Sequence, residues 1–360
     1  MLPLLVAIIS AIGVVALYST AGGRFEPWAQ KHAMRAVLGL LLMFAAGMVP
    51  MRLWMRLANP FYIVVLIMLL AVPFVGIAQL GARRWLGFGD ASLQPAELMK
   101  VALVVALARY YQWLPPDKIS HPLWVALPLA MIAVPAVFIL KQPDLGTAIL
   151  VAATGLVVIF LAGVRPLYFA TGAIASAGFG HLIWPHLKDY QRRRLSTFLD
   201  PDSDPLGAGY HIAQSKIALG SGGVHGRGFL GGTQSQLNFL PEKHTDFIFT
   251  MFAEETGFMG AMTLMALYAM LIGTLFVLAY RSHTHFSRFL AAGIGGVFAL
   301  HVSVNIGMVM GLVPVVGVPL PLVSYGGTSL LTLMFGLGLV LSAASHRYDR
   351  FRQGELAAFW

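Results

Sequence analysis

The stretch LDPDSDPLGAGYHIAQSKIALGSGGVHGRGFLGGTQSQLNFLPEKHTDFIFTMFAEE, Leu199 to Glu255, sets a dense polar, glycine-rich run directly before a long apolar segment that opens at Asp246. Most of the rest is hydrocarbon-compatible. Of the 360 residues 58% are hydrophobic and 11% charged, with a mean hydropathy of +0.76, whereas soluble domains carry about 25% charged residues. The chain therefore reads as an integral membrane protein.

Crossing a hydrocarbon core of about 30 Å takes roughly 17 to 25 residues. About ten apolar runs approach that length, near 2–18, 34–49, 60–80, 95–111, 123–140, 146–164, 167–184, 247–280, 290–310 and 328–344. Lipid cannot satisfy exposed backbone groups, so these runs must be helices. The expected fold is an all-α polytopic membrane protein. Short links argue for a single bundle domain over residues 1–360, with one large extracytoplasmic loop, 185–246, between helices seven and eight. The first run has no Lys or Arg before it and leads into further spans, so it reads as helix one and not as a signal peptide. Cysteine is absent, which removes disulfides and thiolate metal sites.

Ten spans put both termini on one side. That side carries Arg52, Arg56, Arg109, Lys118, Arg165, Arg281, Arg288, Arg347, Arg350 and Arg352, which makes it cytoplasmic by the positive-inside rule. The opposite side is also basic, with Arg24, Lys31, Arg35, Arg83, Arg84 and Lys141 and seven more in the long loop. Single interfacial basics such as Arg24 read as snorkelling contacts with headgroups. The Arg83–Arg84 pair reads as a site for an anionic ligand, because the planar guanidinium fork suits phosphate oxygens.

The links 81–94, 141–145, 185–246 and 312–327 share this outer face and are the richest in Gly, Pro and polar residues. The first enters a helix at Pro95, where Glu97 and Lys100 fall at i and i+3 on one face. Charge there belongs in the bundle interior or in a wet cavity, either as a structural ion pair or as a ligand site. Asp144, in Lys141-Gln-Pro-Asp-Leu-Gly-Thr147, is a ligand contact or a helix cap. Arg192, Arg193 and Arg194 read as a membrane-surface anchor. Asp200, Asp202 and Asp204 imitate the start of an EF-hand, but Pro205 and His211 occupy the positions that need Gly and Glu, so calcium is rejected.

Gly226-Arg-Gly-Phe-Leu-Gly231 has the G-x-G-x-x-G spacing without a preceding strand, so a dinucleotide site is rejected too. The glycines at 220–232 read as letting backbone fold tightly over a ligand. Gln214, Lys216, Gln234 and Gln236 are the nearby side chains suited to sugar or phosphate. Asp246 stands where loop becomes helix, which is an N-cap position. Thr250 and Glu254 follow at i+4 and i+8 on one face, about 12 Å along the helix, and read as a cavity wall. The link 311–328, with Pro314, Pro319 and Pro321, cannot be continuous helix and is expected to help close the same cavity.

At these residues the chain resembles the SEDS family of polytopic bacterial cell-wall proteins. The marks are Arg83-Arg-Trp-Leu, Gln94-Pro-Ala-Glu97, Gln142-Pro-Asp-Leu-Gly-Thr147, Phe198-Leu-Asp-Pro201, Gly209-Tyr-His-Ile-Ala-Gln-Ser-Lys216, Gly231 to Phe249 and Pro321-Leu-Val-Ser-Tyr-Gly-Gly327. The stretch 232–246 is closer to the elongation branch than to the division branch. The resemblance implies a peptidoglycan glycosyltransferase of cell elongation and rod-shape maintenance in the bacterial inner membrane. It would polymerise lipid II onto a growing glycan strand beside a class B penicillin-binding protein, among membrane lipids and with no nucleic acid. It also implies that Asp246, the last residue of His244-Thr-Asp, is catalytic. Arg35, Arg83, Arg84, Glu97, Lys100, Asp144, Gln214, Lys216 and His244 are the candidate substrate-binding residues. A divalent cation such as Mg2+ or Mn2+ is an open possibility with no ligand set identified. Two other readings of the same charges are a flippase for a lipid-linked precursor and a non-catalytic scaffold for the penicillin-binding protein.

Overall fold

In the computed structural model the described residues are 1–79, 82–88, 91–186, 189–200, 207–233, 240 and 242–346. The expected features at Asp202, Asp204, Gln234, Gln236, Arg347, Arg350 and Arg352 lie outside them. Each apolar run coincides with a helix: α1 (Leu2–Thr20), α2 (Ala29–Met48), α3 (Met51–Val75), α4 (Pro95–Trp113), α5 (Pro122–Lys141), α6 (Leu145–Leu161) and α7 (Pro166–Ile183). The large loop holds α8 (Asp189–Leu199) and α9 (Ala208–Ser221), and the chain continues through α10 (Ile248–Tyr280), α11 (His285–Val309) and α12 (Gly327–Ser345). Among the described residues seven helices are long and apolar enough to cross a membrane: α1, α2, α3, α5, α10, α11 and α12. α4 carries Glu97, Lys100 and Arg109 and is buried along most of its length.

Two elements differ in kind or extent from the sequence reading. The link before α4 is not plain loop but a small antiparallel sheet in the order β1 (Ile77–Gln79), β2 (Ala82–Phe88), β3 (Ala91–Leu93). It gives backbone at the membrane edge partners without a helix. Its register sets Leu86 opposite Leu93 and Phe88 opposite Ala91. α3 also begins at Met51, nine residues before the apolar run, because Arg52 and Arg56 sit on a helical end that extends past the hydrocarbon.

The centre of the bundle is α11, packed against α4, α6, α10 and α12. α12 packs closely on α2, and glycine allows the approach: a Cβ on Gly39 would lie 2.1 Å from the sulfur of Met334, and one on Gly338 would lie 2.6 Å from the Met43 carbonyl oxygen. Small residues at helix crossings serve this purpose in lipid, where association depends on close packing.

α10 would run about 50 Å if straight. It is instead broken at Gly257, whose backbone adopts φ 68°, ψ −167°. The break is occupied by the loop after α9. Phe258 N–H donates to the Gly223 carbonyl and Arg227 N–H to the Glu254 carbonyl, while a Cβ on Gly226 would fall 2.1 Å from the Glu255 carbonyl oxygen. Gly222 and Gly226 therefore fit backbone against the kinked helix, whereas a Cβ on Gly220, Gly223 or Gly228 would meet nothing within 4 Å.

Replacing Gly257 with Ala forces a Cβ to 2.2 Å from the Gly226 nitrogen at a backbone conformation that L residues rarely adopt. We expect Gly257→Ala to cost about 1–3 kcal/mol, read as a lower thermal midpoint in detergent. An unchanged midpoint would show that the loop does not fix the kink.

Candidate active site

The polar link after α11 and the residues before α10 form one wall. Tyr325 N–H donates to the His244 carbonyl at 2.9 Å, Ser324 Oγ to the Thr245 carbonyl at 2.5 Å, and Leu320 N–H to Ser324 Oγ at 2.7 Å. Asn305, on the buried face of α11, closes the set: its Nδ2 donates to the Asp246 carbonyl at 2.8 Å and to the Val318 carbonyl at 2.7 Å. Neither segment is helical, so their carbonyls need donors from elsewhere in the protein.

This wall borders a cavity of about 840 Å³, within the range of ligand sites. Its polar part includes Arg35, Glu242, His244, Thr245 and Tyr325, and its apolar part Leu42, Phe61, Leu98, Leu331 and Phe335. Arg35 stands over the Tyr325 ring at 4.9 Å. A Cβ on Gly327 would lie 3.1 Å from its guanidinium carbon, so the Gly326-Gly327 pair makes room for the cation at the N-terminus of α12. That terminus has no side-chain cap, which leaves first-turn N–H groups for an anion. His244 stacks on Trp28 with centroids 4.5 Å apart and planes 7° apart. Burial pushes its imidazole below the ordinary value, with Glu242 opposing and Lys243 adding to the shift.

Asp246 is half-buried and sits outside α10. The N-cap residue is Phe247, without a side-chain cap bond, and the Asp246 carboxylate accepts no hydrogen bond among the described residues. The expected capping alternative is thus not realised. Burial pushes the carboxyl up to about 7, with Glu242 and Asp144 adding and Arg194 opposing. Its Oδ2 lies 3.3 Å from where a Cβ on Gly317 would stand, at a position with φ +71°. The carboxyl is therefore held by its backbone, while its side chain keeps its acceptor capacity.

The other predicted residues divide by partner. Lys100 Nζ donates to Glu97 Oε1 at 2.8 Å and contacts His301 Nε2 at 2.7 Å, while His301 Nδ1 lies 2.8 Å from the Val297 carbonyl. The Val297 carbonyl requires Nδ1 to carry hydrogen, so Nε2 accepts from the ammonium. Glu97 is 5% exposed, Lys100 1% and His301 0%. This is a compensated interior triad, and it reaches the cavity only through Leu98 beside it.

Arg84 donates from Nε to the Gln142 carbonyl at 3.3 Å and from Nη2 to the Pro143 carbonyl, and its Nη1 is 3.8 Å from Asp144 Oδ2. Asp144 Oδ1 caps α6 by accepting from Thr147 N–H at 3.2 Å, and Gln94 Nε2 reaches Oδ2 at 3.3 Å. Arg83 is exposed, with one long bond of 3.4 Å to the Pro73 carbonyl. Gln214 and Lys216 lie on α9, and the Lys216 ammonium approaches Gly311 rather than the cavity.

The Thr250 and Glu254 stripe differs from its reading as a cavity wall. Both side chains are 0% exposed. Thr250 Oγ1 is 2.9 Å from Ser215 Oγ, and Glu254 Oε1 accepts from Thr233 N–H and Oγ1 at 2.9 Å each. They fasten α9 and the following loop to α10. Sequence reasoning missed Asn305, Tyr325, Trp28, Glu242 and Arg194. Arg194 was grouped with a surface anchor, Tyr325 stands in the link expected to help close the cavity, and Asn305 left a signal of its own: a polar residue four after His301 in an otherwise apolar helix. Among the described residues no three His, Asp or Glu side chains gather as a metal site.

Residues 1–349 match the FtsW/RodA/SpoVE family, described as cell cycle protein. The chain is 44% identical over 330 residues to the peptidoglycan glycosyltransferase MrdB of Escherichia coli K12, covering 91% of this chain and 88% of that one. A chain in a solved peptidoglycan synthase complex, described as coordinating polymerization and crosslinking, superposes with a TM-score of 0.84 at 36% identity, covering 97% and 98% of the two chains. Thermus thermophilus RodA superposes with a TM-score of 0.73 at 32% identity, covering 97% of each. The chain belongs to this family, the SEDS family of the sequence reading.

Asn305→Leu keeps the side-chain size but removes the donor shared by Asp246 and Val318. An unsatisfied buried carbonyl costs about 1–3 kcal/mol, so the thermal midpoint is expected to fall. An unchanged midpoint would mean that the two segments hold together without the clamp.

Proposed function

We propose that this chain is the peptidoglycan glycosyltransferase of cell elongation and rod-shape maintenance, polymerising lipid II in the bacterial cytoplasmic membrane. The observation that carries the reading is the Asp246 carboxyl, uncapped and raised to about 7, immediately after two residues that line a cavity both cationic and apolar. The similarity to MrdB and RodA supports the same activity.

The acceptor's GlcNAc 4-hydroxyl attacks the anomeric carbon of the lipid-linked donor. The new C–O bond forms as the bond to the diphosphate breaks, the configuration inverts, and undecaprenyl pyrophosphate leaves with the electron pair. Asp246 takes the hydroxyl proton. A positioned base of this kind contributes about 10²- to 10⁴-fold, and a single inverting step needs no second carboxylate as nucleophile. Arg35 and the uncapped N-terminus of α12 meet the growing charge on the diphosphate. Arg83 is the second cation with donors to offer. Arg84, Asp144, Glu97 and Lys100 act through position, since their polar groups are already engaged. Gln214, Lys216 and His244 are left to bind sugar or headgroup around the site.

The wider arrangement follows from the same reading. The chain is one bundle of ten spans with residues 185–246 outside and both termini cytoplasmic, supported by Arg52, Arg56, Arg109, Lys118, Arg165, Arg281 and Arg288 on the inner links. Its partner is a class B penicillin-binding protein, supported by the likeness to a chain of a complex that couples polymerization to crosslinking.

Purified Asp246→Asn is expected to lose polymerisation of lipid II by about 10²-fold or more. A carboxyl raised in the fold destabilises the folded protein once pH exceeds its unfolded value of 3.8. The variant's thermal midpoint at pH 8 should therefore stay level or rise. Retained chain growth would remove Asp246 from the mechanism, and a lowered midpoint would restore the capping role.

The base form fills as pH rises through about 7. Polymerisation by the unsubstituted chain should fall about tenfold per pH unit below that value and level off above it. A flat profile between pH 5 and 8 would contradict a base with this value.

A further inference from the structure

A second, smaller cavity of about 260 Å³ opens between α3, α4 and α5, lined in part by Asn59, Tyr62, Arg109, Tyr110, Trp113 and Leu127. It sits near one end of the bundle. From the helix ends at Trp113, Pro122 and Met51, helical rise places Arg109 about 6 Å in, Leu127 about 8 Å and Asn59 about 12 Å. The polar layer of a bilayer leaflet is about 5–7 Å deep, so the cavity spans the boundary between headgroups and acyl chains.

Arg109 has a structural duty there. Pro60 lies inside α3 and has no N–H, so the Arg56 carbonyl loses its helical donor. Arg109 Nη1 supplies one at 3.0 Å and also donates to the Met55 carbonyl at 3.1 Å. Those bonds use one nitrogen. The remaining N–H groups, on Nε and Nη2, have no protein partner among the described residues, and a guanidinium is built to present such a pair to phosphate oxygens.

The rest of the lining fits an amphiphile. The Tyr62 and Tyr110 hydroxyls donate to the Met131 and Trp124 carbonyls at 2.8 and 2.6 Å, which leaves their rings as apolar wall. Trp113 is 40% exposed and Leu127 50%. Trp113 and Trp124 rings lie 5.5 Å apart, and Lys118 sits over Trp124 at 5.5 Å. Arg52, Arg56 and Lys118 belong to the same end, with Asp117 the carboxylate of the intervening link. Aromatic side chains and cations mark the level at which headgroups lie.

We propose that this cavity binds the phosphate of an anionic phospholipid from the leaflet on the side of the α2–α3 and α4–α5 links. Arg109 takes the phosphate oxygens through Nε and Nη2, and the Trp113 and Leu127 side takes the start of an acyl chain. The site is separate from the large cavity and does not depend on the role assigned to Asp246.

The test uses the full chain in phosphatidylcholine vesicles doped with either brominated phosphatidylglycerol or brominated phosphatidylcholine, whose bromines quench tryptophan on contact. The Trp113 signal is read as the difference between the unsubstituted chain and Trp113→Phe. Half-maximal quenching is expected at an about fivefold lower fraction of phosphatidylglycerol than of phosphatidylcholine, the factor that one basic side chain contributes at a membrane surface.

Asn59→Glu sets a carboxylate in the cavity and leaves the Arg109 bonds to α3 in place. It should abolish the preference while quenching by phosphatidylcholine persists. Arg109→Gln should do the same, with a lower thermal midpoint because its shorter amide no longer reaches the Arg56 and Met55 carbonyls. Equal quenching by the two lipids overturns the proposal, as does a preference that survives both variants. Loss of the preference on adding inorganic phosphate would assign the site to a soluble anion and overturn it too.

Discussion

One amide holds the site together. Asn305 donates to Asp246 from one side and to Val318 from the other, and so joins two segments that have left helical geometry within a membrane bundle. Backbone in that condition is tolerated only where protein or an aqueous cavity satisfies it. Ser324 and Tyr325 extend the same arrangement to Thr245 and His244. Because the clamp grips the Asp246 carbonyl, the position of this residue is fixed without consuming its carboxylate. A side-chain cap would have fixed the position too, but it would also have lowered the carboxyl's proton affinity by hydrogen bonding to the charged form.

The bundle handles its charged groups in two ways, and the contrast sets Asp246 apart. Glu97, Lys100 and His301 compensate one another at 2.7–2.8 Å. Removing one partner of such a set costs several kcal/mol, because the other charge is left buried and alone. The triad therefore pins α4 to α11, and His301 lies one helical turn before Asn305, so the pinning also sets the height of the clamp. Arg84 and Asp144 do similar work at the turn into α6. Asp246 is treated differently. Burial and nearby carboxylates oppose its ionisation, and Arg194 offsets them only in part.

How much of this was legible in the sequence depends on what each signal measures. The helices were readable because hydrocarbon imposes length and apolarity on every span. The outer links were readable because Gly, Pro and polar residues cannot continue a span. His244 and Asp246 emerged from those links, and Arg35 from the basic residues of the same side. Periodicity shows which residues share a helical face but not what faces them, and that is why Thr250 and Glu254 were placed on a cavity that is in fact the loop around Thr233. The same limit applied to Gly222 and Gly226, whose neighbour proved to be the backbone of α10. Trp28 gave no local sign, since its importance comes from contact with His244 across more than two hundred residues of chain, and for Tyr325 the broken link placed the segment but not its contact with Arg35. The sheet at 77–93 was hidden by its short strands.

The shape of the large cavity argues for the class of molecule it accepts. Arg35, Glu242, His244 and Tyr325 form its polar side, and Leu42, Phe61, Leu98, Leu331 and Phe335 its apolar side. A soluble sugar nucleotide would leave the apolar wall facing water, at about 25 cal/mol for each Å² exposed. A free fatty chain would leave Arg35 and the N-terminus of α12 without a counter-charge. A molecule with a charged linkage between a sugar and a long prenyl tail satisfies both sides at once. Its linkage would then lie next to Arg35 and its sugar towards the loop that carries Asp246. The pairing of a polar wall that holds Arg35 with an apolar wall is what the lipid-linked glycosyl donor of the proposed reaction would need.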